Sequence, residues 1–269
     1  MGLFPPELVK RYSVVHRPKG PRIQLALAWF VGLLIAFFIG SGALAVFFGA
    51  QAAIAALQVC KRWGDVHKPS NPPLAAAAAG LMPLAAWFNN TAVGLVLLVF
   101  VAVSIPFGSG FGPPPKGRSG ESGFDLPSAI GTSWITVAAG FIPGLAAAAV
   151  VQVHRIDAMS LVFLAAAVCT YDAGDHLCSA GYASRSVGPL SGMFGVAVVT
   201  AVMAIMQPSP LSGIWVWFTG LVLALCCPVG QWLGSWMLPR SDSSAPALRR
   251  LDGWFVAAPV FWVIVALAS

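Results

Sequence analysis

The stretch "QLALAWFVGLLIAFFIGSGALAVFFGAQAAIAALQVCKR", residues 24–62, decides the fold class. Residues 24–40 and 43–60 are two apolar runs, and only "GSG" at 40–42 interrupts them. No charged residue appears until Lys61 and Arg62. Each run is about long enough, as a helix, to cross a hydrocarbon core of roughly 30 Å. The glycine–serine–glycine break reads as a tight reversal. Two antiparallel membrane helices follow from these residues.

The rest of the chain repeats that pattern. It has 269 residues, of which 58% are hydrophobic and only 9% charged. Its mean hydropathy is +0.83, whereas a soluble domain carries about a quarter charged residues. Further apolar segments fall near 73–88, 91–107, 132–152, 157–171, 187–206, 211–237 and 253–268. Several approach the lower limit for a span, so tilt or partial burial is expected. The predicted class is an all-α polytopic membrane helix bundle of about nine segments. It forms a single integral-membrane domain over 1–269, because no polar stretch is long enough to fold separately. Residues 1–22 are basic and Pro-rich and read as a cytoplasmic tail, not a cleaved leader. The loop 105–128, with "GSGFG", Lys116 and Arg118, matches no phosphate-loop pattern and reads as a flexible linker.

Charge sets the orientation. With a cytoplasmic N-terminus, the inside segments hold fourteen of the fifteen Lys/Arg, including Lys61, Arg62, Arg185, Arg240, Arg249 and Arg250. Only Arg155 falls outside, and the C-terminus lies outside with it. Orientation and contact with anionic headgroups account for the net charge of +6, so no nucleic-acid partner is expected. Alanine, glycine and proline usage points to a bacterial inner membrane.

Acids are scarce, at nine in the chain. Asp172 and Asp175 stand three apart where the 157–171 segment ends, and share a face if a helix continues. Ionisable groups at membrane depth are costly and point to function. Two carboxylates this close repel unless a cation or proton lies between them, and Mg²⁺ suits an oxygen-only site completed by substrate phosphates. The plainer reading is a hydrated helix end. Asp175, His176 and Cys178 lack the second ligand pair that a zinc site needs.

Two stretches resemble phosphatidate cytidylyltransferases, the CDP-diacylglycerol synthases. "VCTYDAGDHLCSAGYASRSVGPLSGMFG" (168–195) resembles the family's D-x-G-A-Y segment and the E-G segment after it. "VGQWLGSWMLPRSDSSAPALRRLDGWFVAAPVFWVI" (229–264) resembles its C-terminal signature, with Gly230, Ser235, Arg240, Leu248, Arg250, Asp252, Ala258 and Pro259 in order. "AAIAALQVCKRWG" (52–64) is similar to its early segment. The resemblance implies transfer of a cytidylyl group from CTP to phosphatidic acid, with pyrophosphate released and Mg²⁺ as cofactor. It implies catalytic roles for Asp172 and Asp252 and metal contacts from Asp172, Asp175 and Asp252. It assigns substrate phosphates to Arg250, Arg240 and Arg185, and auxiliary roles to Ser235, Asp242 and Gln231. A homodimer in contact with membrane lipids is also implied.

Four family acids are replaced here, by Gln58, Ser191, Gln231 and Arg249. That motivates a second reading, a catalytically weakened relative acting as a lipid-binding or partner subunit. A third is an ion-coupled transporter using Asp172 and Asp175.

Overall fold

The computed structural model describes residues 22–66, 68, 70–107, 126–179, 187–207, 209–240 and 243–269, and all its regular elements are helices. They are α1 (Arg22–Ile39), α2 (Ser41–Gly64), α3 (Pro72–Phe88), α4 (Asn90–Phe107), α5 (Leu126–Ile156), α6 (Ala158–Ser179), α7 (Val187–Met206), α8 (Ile214–Trp236), α9 (Pro246–Leu251) and α10 (Trp254–Ala268). Among the described residues seven helical stretches are long and apolar enough to cross a membrane. α9 and α10 join in one of these, Pro246–Ala268. Two further apolar helices are shorter, Leu27–Ile39 and Pro72–Phe88. The nine apolar segments read from the sequence therefore all fall on helices. The tail before Arg22 and the linker residues 108–125 lie outside the described residues.

The "GSG" reversal rests on one residue. Gly40 has φ +121°, a conformation L side chains rarely adopt, and it separates α1 from α2. Trp29 then packs on Phe47 and Phe48, so the two helices run antiparallel. The next reversals are capped by side chains. Asn89 Oδ1 accepts the Ala92 N–H at 2.7 Å, and Asp157 Oδ2 accepts the Ser160 N–H at 2.6 Å. Asp157 is thus a helix cap.

α2, α3 and α5 form the most intimate part of the bundle, and α10 packs on α5 and α8. Lipid is as apolar as leucine, so helices here associate by close packing of small residues. Ala52, Ala75, Ala79 and Ala147 are fully or almost fully buried. A Cβ on Gly49 would stand 3.0 Å from the Gly80 carbonyl oxygen. Outward faces carry the large residues instead, as in the α7 stripe Leu190, Phe194, Val198 and Val202.

One end of the bundle gathers the polar contacts. Asn71 Nδ2 donates to the Phe107 carbonyl, joining the start of α3 to the end of α4. Arg62 Nε donates to the Ser244 carbonyl at 2.9 Å, and Trp63 Nε1 to the Met237 carbonyl at 2.8 Å. Cys178 Sγ and Ser191 Oγ are 3.0 Å apart across the α6–α7 reversal. Trp63 meets Trp134 edge-to-face and Trp134 meets Trp236 at a tilt there, with centroids 5.4 and 5.5 Å apart. Tryptophan favours the headgroup level. The ends that the charge count assigned to one side of a membrane are therefore on one end of the bundle.

Arg155 belongs to the opposite end, and it is engaged there. Its Nη1 and Gln152 Nε2 both donate to the Ala86 carbonyl, at 2.8 and 3.0 Å. Loss of either donor leaves the other in place. Arg155→Ala alone is expected to cost under about 1 kcal/mol, and Arg155→Ala with Gln152→Leu roughly 2 kcal/mol, since the carbonyl is then orphaned. Thermal unfolding of the purified single and double variants in detergent checks this.

Candidate functional site

The site is built by three helical segments at the polar end. α6 brings Tyr171, Asp172 and Asp175; α8 brings Gly230, Gln231, Gly234 and Ser235; the α9–α10 junction brings Arg249, Arg250, Asp252 and Gly253.

The first correction concerns α6. The segment expected to end at Tyr171 continues through Ser179, so both acids lie within the helix and share a face. Aspartate and glycine are poor helix formers, and tertiary packing holds these turns. A Cβ on Gly174 would be 2.9 Å from the Ser191 carbonyl oxygen, and one on Gly192 would be 2.7 Å from the Tyr171 ring. α6 and α7 approach that closely because both positions lack a side chain.

The second concerns residues 239–252, which fall between two of the apolar segments read from the sequence. Pro246–Leu251 forms α9, with Pro in its first turn. Gln58 Oε1 on α2 accepts the Ala247 N–H at 3.0 Å, satisfying one of the first backbone donors of α9. This anchors the turn that carries Arg249, Arg250 and Asp252.

α8 then admits Asp252. A Cβ on Gly234 would meet the Asp252 Cβ at 2.7 Å, and one on Gly230 would collide with the Asp252 carbonyl oxygen. Asp252 is 4% exposed. Its Oδ1 accepts the Gly253 N–H at 2.9 Å, and its Oδ2 pairs with Arg249 Nη1 at 3.4 Å. The same Nη1 donates to Ser235 Oγ at 2.8 Å, and Ser235 Oγ donates to the Gln231 carbonyl at 2.9 Å. Gln231 Nε2 donates to Asp175 Oδ2 at 3.4 Å, and the Gln231 side chain also hydrogen-bonds Asp172. A polar chain thus runs from the α6 acids through α8 to Asp252.

Asp172 sits against this junction. A Cβ on Gly253 would be 3.1 Å from Asp172 Oδ1. Asp252, Asp175 and Arg250 all act on the Asp172 carboxylate electrostatically. Asp172 Oδ1 is nevertheless buried without a hydrogen-bond partner, and so is the Tyr171 hydroxyl. Each such group costs about 1–3 kcal/mol, and native proteins seldom leave one unfilled.

Of the residues expected from the sequence, Asp172, Asp175, Asp252, Gln231, Ser235 and Arg250 are brought together. Arg240 is exposed, and its carbonyl accepts the Ser243 N–H. Arg185 and Asp242 lie outside the described residues. Sequence reasoning missed Tyr171, the pairing of Arg249, and the anchoring by Gln58. The signals present were a lone tyrosine beside an acid and a polar side chain in an apolar helix face.

Among the described residues no three His, Cys, Asp or Glu side chains are arranged to hold a metal ion together. The expected three-carboxylate centre is therefore not preformed, and the Arg249 guanidinium already occupies Asp252 Oδ2. Mg²⁺ needs only one or two protein carboxylates when substrate phosphates complete its shell. The orphaned Asp172 Oδ1 suits that shared arrangement, and an all-protein cage does not fit.

Comparison with protein-family models, curated proteins and solved structures gives no match to this chain.

Proposed function

We propose that the protein is a membrane-embedded CTP-dependent lipid nucleotidyltransferase, forming CDP-diacylglycerol and pyrophosphate from CTP and phosphatidic acid. The observation that carries the reading is the convergence of Asp172, Asp175, Asp252, Gln231 and Arg250, from three segments, at the polar end of an apolar bundle. Free energy spent burying charge in such a chain points to chemistry at that end. The positive-inside bias supports a cytoplasmic setting, where nucleotides are available.

In this reading a lipid phosphate oxygen attacks the α-phosphorus of CTP. The bond to the β-phosphate breaks, and its electron pair leaves with pyrophosphate. Arg250 holds a phosphate beside Asp172, with Arg240 and Arg185 as further phosphate contacts. Asp172 would hold Mg²⁺ together with the substrate phosphates, and the Gln231 amide holds Asp175 in place. Asp252 and Gly253 are buried, so charge interactions beside them are strengthened. Mg²⁺, when bound with the triphosphate, supplies charge screening and stabilises the leaving group.

A second reading, a weakened relative that serves as a lipid-binding or partner subunit, is favoured by one contact, the Arg249–Asp252 pair. An arginine there neutralises a carboxylate that the first reading uses. Incubation of membranes with labelled CTP, phosphatidic acid and Mg²⁺ separates the two. The first predicts CDP-lipid and equimolar pyrophosphate, dependent on all three additions. No product above background with any of several phosphorylated lipids leaves the second standing.

A further inference from the structure

Aromatic side chains lie at both ends of the bundle, but cations gather at one. At the end that carries Arg155, Trp87, Phe88, Trp215 and Phe218 are exposed, and Arg155 donates to the Ala86 carbonyl. At the other end Trp63 of α2 meets Trp134 of α5, and Trp134 meets Trp236 of α8. Trp134 and Trp236 are 37% and 40% exposed. Trp232, one turn back on α8, is exposed as well. Three helices thus present one run of indole rings.

Hydrogen bonds hold this corner together. Trp63 Nε1 donates to the Met237 carbonyl and Arg62 Nε to the Ser244 carbonyl, which ties the end of α2 to the chain after α8. The Lys68 N–H donates to the Trp63 carbonyl at 3.0 Å, so the chain beyond α2 folds back on that residue. Lys61, Lys68 and Arg240 are exposed around it. Among the described residues of this corner, these three and Arg62 stand against one acid, Asp65, which pairs with Arg62 at 3.2 Å. Asp242, in the same turn as Arg240, lies outside the described residues.

We propose that this corner is a seat for one anionic phospholipid of the adjoining leaflet. The Trp134 and Trp236 rings take its glycerol and upper acyl region, and Lys61 and Lys68 take its headgroup phosphate. Indole rings settle between hydrocarbon and headgroups, and cations at that level attract lipids of net negative charge. Scattered lysines would only raise the local concentration of anions. Three rings in contact, from three helices tied together, give a single lipid a shaped surface. A zwitterionic lipid offers the same phosphate and tails but cancels the charge. A soluble phosphate carries the charge but has no tails to lie on the rings. The seat needs no chemistry at the acid cluster, so it goes beyond the enzymatic reading.

Purified full-length protein in detergent is mixed with increasing dioleoyl phosphatidylglycerol, and bound lipid is counted by native mass spectrometry. One phosphatidylglycerol should be held about tenfold more tightly than phosphatidylcholine with the same chains, and glycerol 3-phosphate should not displace it. Lys61→Gln with Lys68→Gln should abolish that preference. Both lysines are exposed, so this variant should melt like wild type. Lys116→Gln with Arg118→Gln removes two cations from the linker, which the charge count puts on the same side, and should leave the preference intact. Trp134→Ala keeps every charge and should weaken phosphatidylglycerol binding by roughly threefold. Equal affinity for the two lipids, displacement by glycerol 3-phosphate, or an equal loss in the lysine and linker variants overturns the proposal. So does Lys61→Gln with Lys68→Gln, or Trp134→Ala, binding like wild type. The lipid preference without any CDP-lipid product would remove the enzymatic reading and keep this one. Product formation without the preference would do the reverse.

Discussion

Asp172→Asn should lower CDP-lipid formation by at least about a hundredfold while the protein stays folded. The substitution keeps shape and removes only the charge that Mg²⁺ and the triphosphate would meet. Losses of that order follow removal of one electrostatic group at a reacting centre. Stability should not fall, because Asp175 and Asp252 act on the same carboxylate and like charges repel. Asp175→Asn should be milder, near tenfold, since Asp175 Oδ2 already takes the Gln231 amide. The measurement is initial rate with labelled CTP, beside the detergent melting temperature of each variant. Equal activity in wild type and both variants would remove Asp172 from the site.

Gly230→Ala should cost both stability and site geometry. The added Cβ would collide with the Asp252 carbonyl oxygen, a backbone atom that cannot rotate away. Overpacking of this kind costs about 1–3 kcal/mol, which for a chain of this size lowers the melting temperature by roughly 2–12 °C. Gly234→Ala should follow it, because its Cβ would press on Asp252 and stand 3.5 Å from Phe255. Any transferase activity should fall with both, as Asp252 is displaced from Arg249 and, through it, from Ser235. Gly94→Ala is the control. A Cβ there meets nothing within 4 Å, so the change should be neutral or stabilising by up to about 1 kcal/mol. Gly230→Ala melting like Gly94→Ala would mean that α8 and Asp252 are not packed as described.

Much of the fold was readable in order. Hydropathy located every apolar helix, because a chain in lipid must satisfy its backbone within helices. Helix ends that the Lys/Arg distribution put together do meet at Arg62–Ser244 and Asn71–Phe107. The end of α6 was not readable. Asp172, Gly174 and Asp175 look like a helix terminus to any local propensity, and only the contact of Gly174 with α7 carries the helix on. The six-residue α9 was hidden for a similar reason, being anchored from α2 by Gln58 across 189 positions of sequence.

The candidate site divides in the same way. Scarcity marked Asp172 and Asp175, because a chain with so few charges places each against a cost, and the resemblance added Asp252. Their convergence is a property of helix approach, set by Gly230 and Gly234 on α8 and by Gly192 on α7. The balance of charge within the cluster belongs to tertiary structure as well. Sequence identified Arg249 as a cation where an acid was expected, but only its placement between Ser235 and Asp252 makes it a counter-ion. The amino-acid sequence by itself determined that this chain is a bundle of apolar helices suited to a membrane, since hydrophobic length acts locally. Which buried polar groups meet, and which of them are left without partners, was decided by packing between segments far apart in the chain.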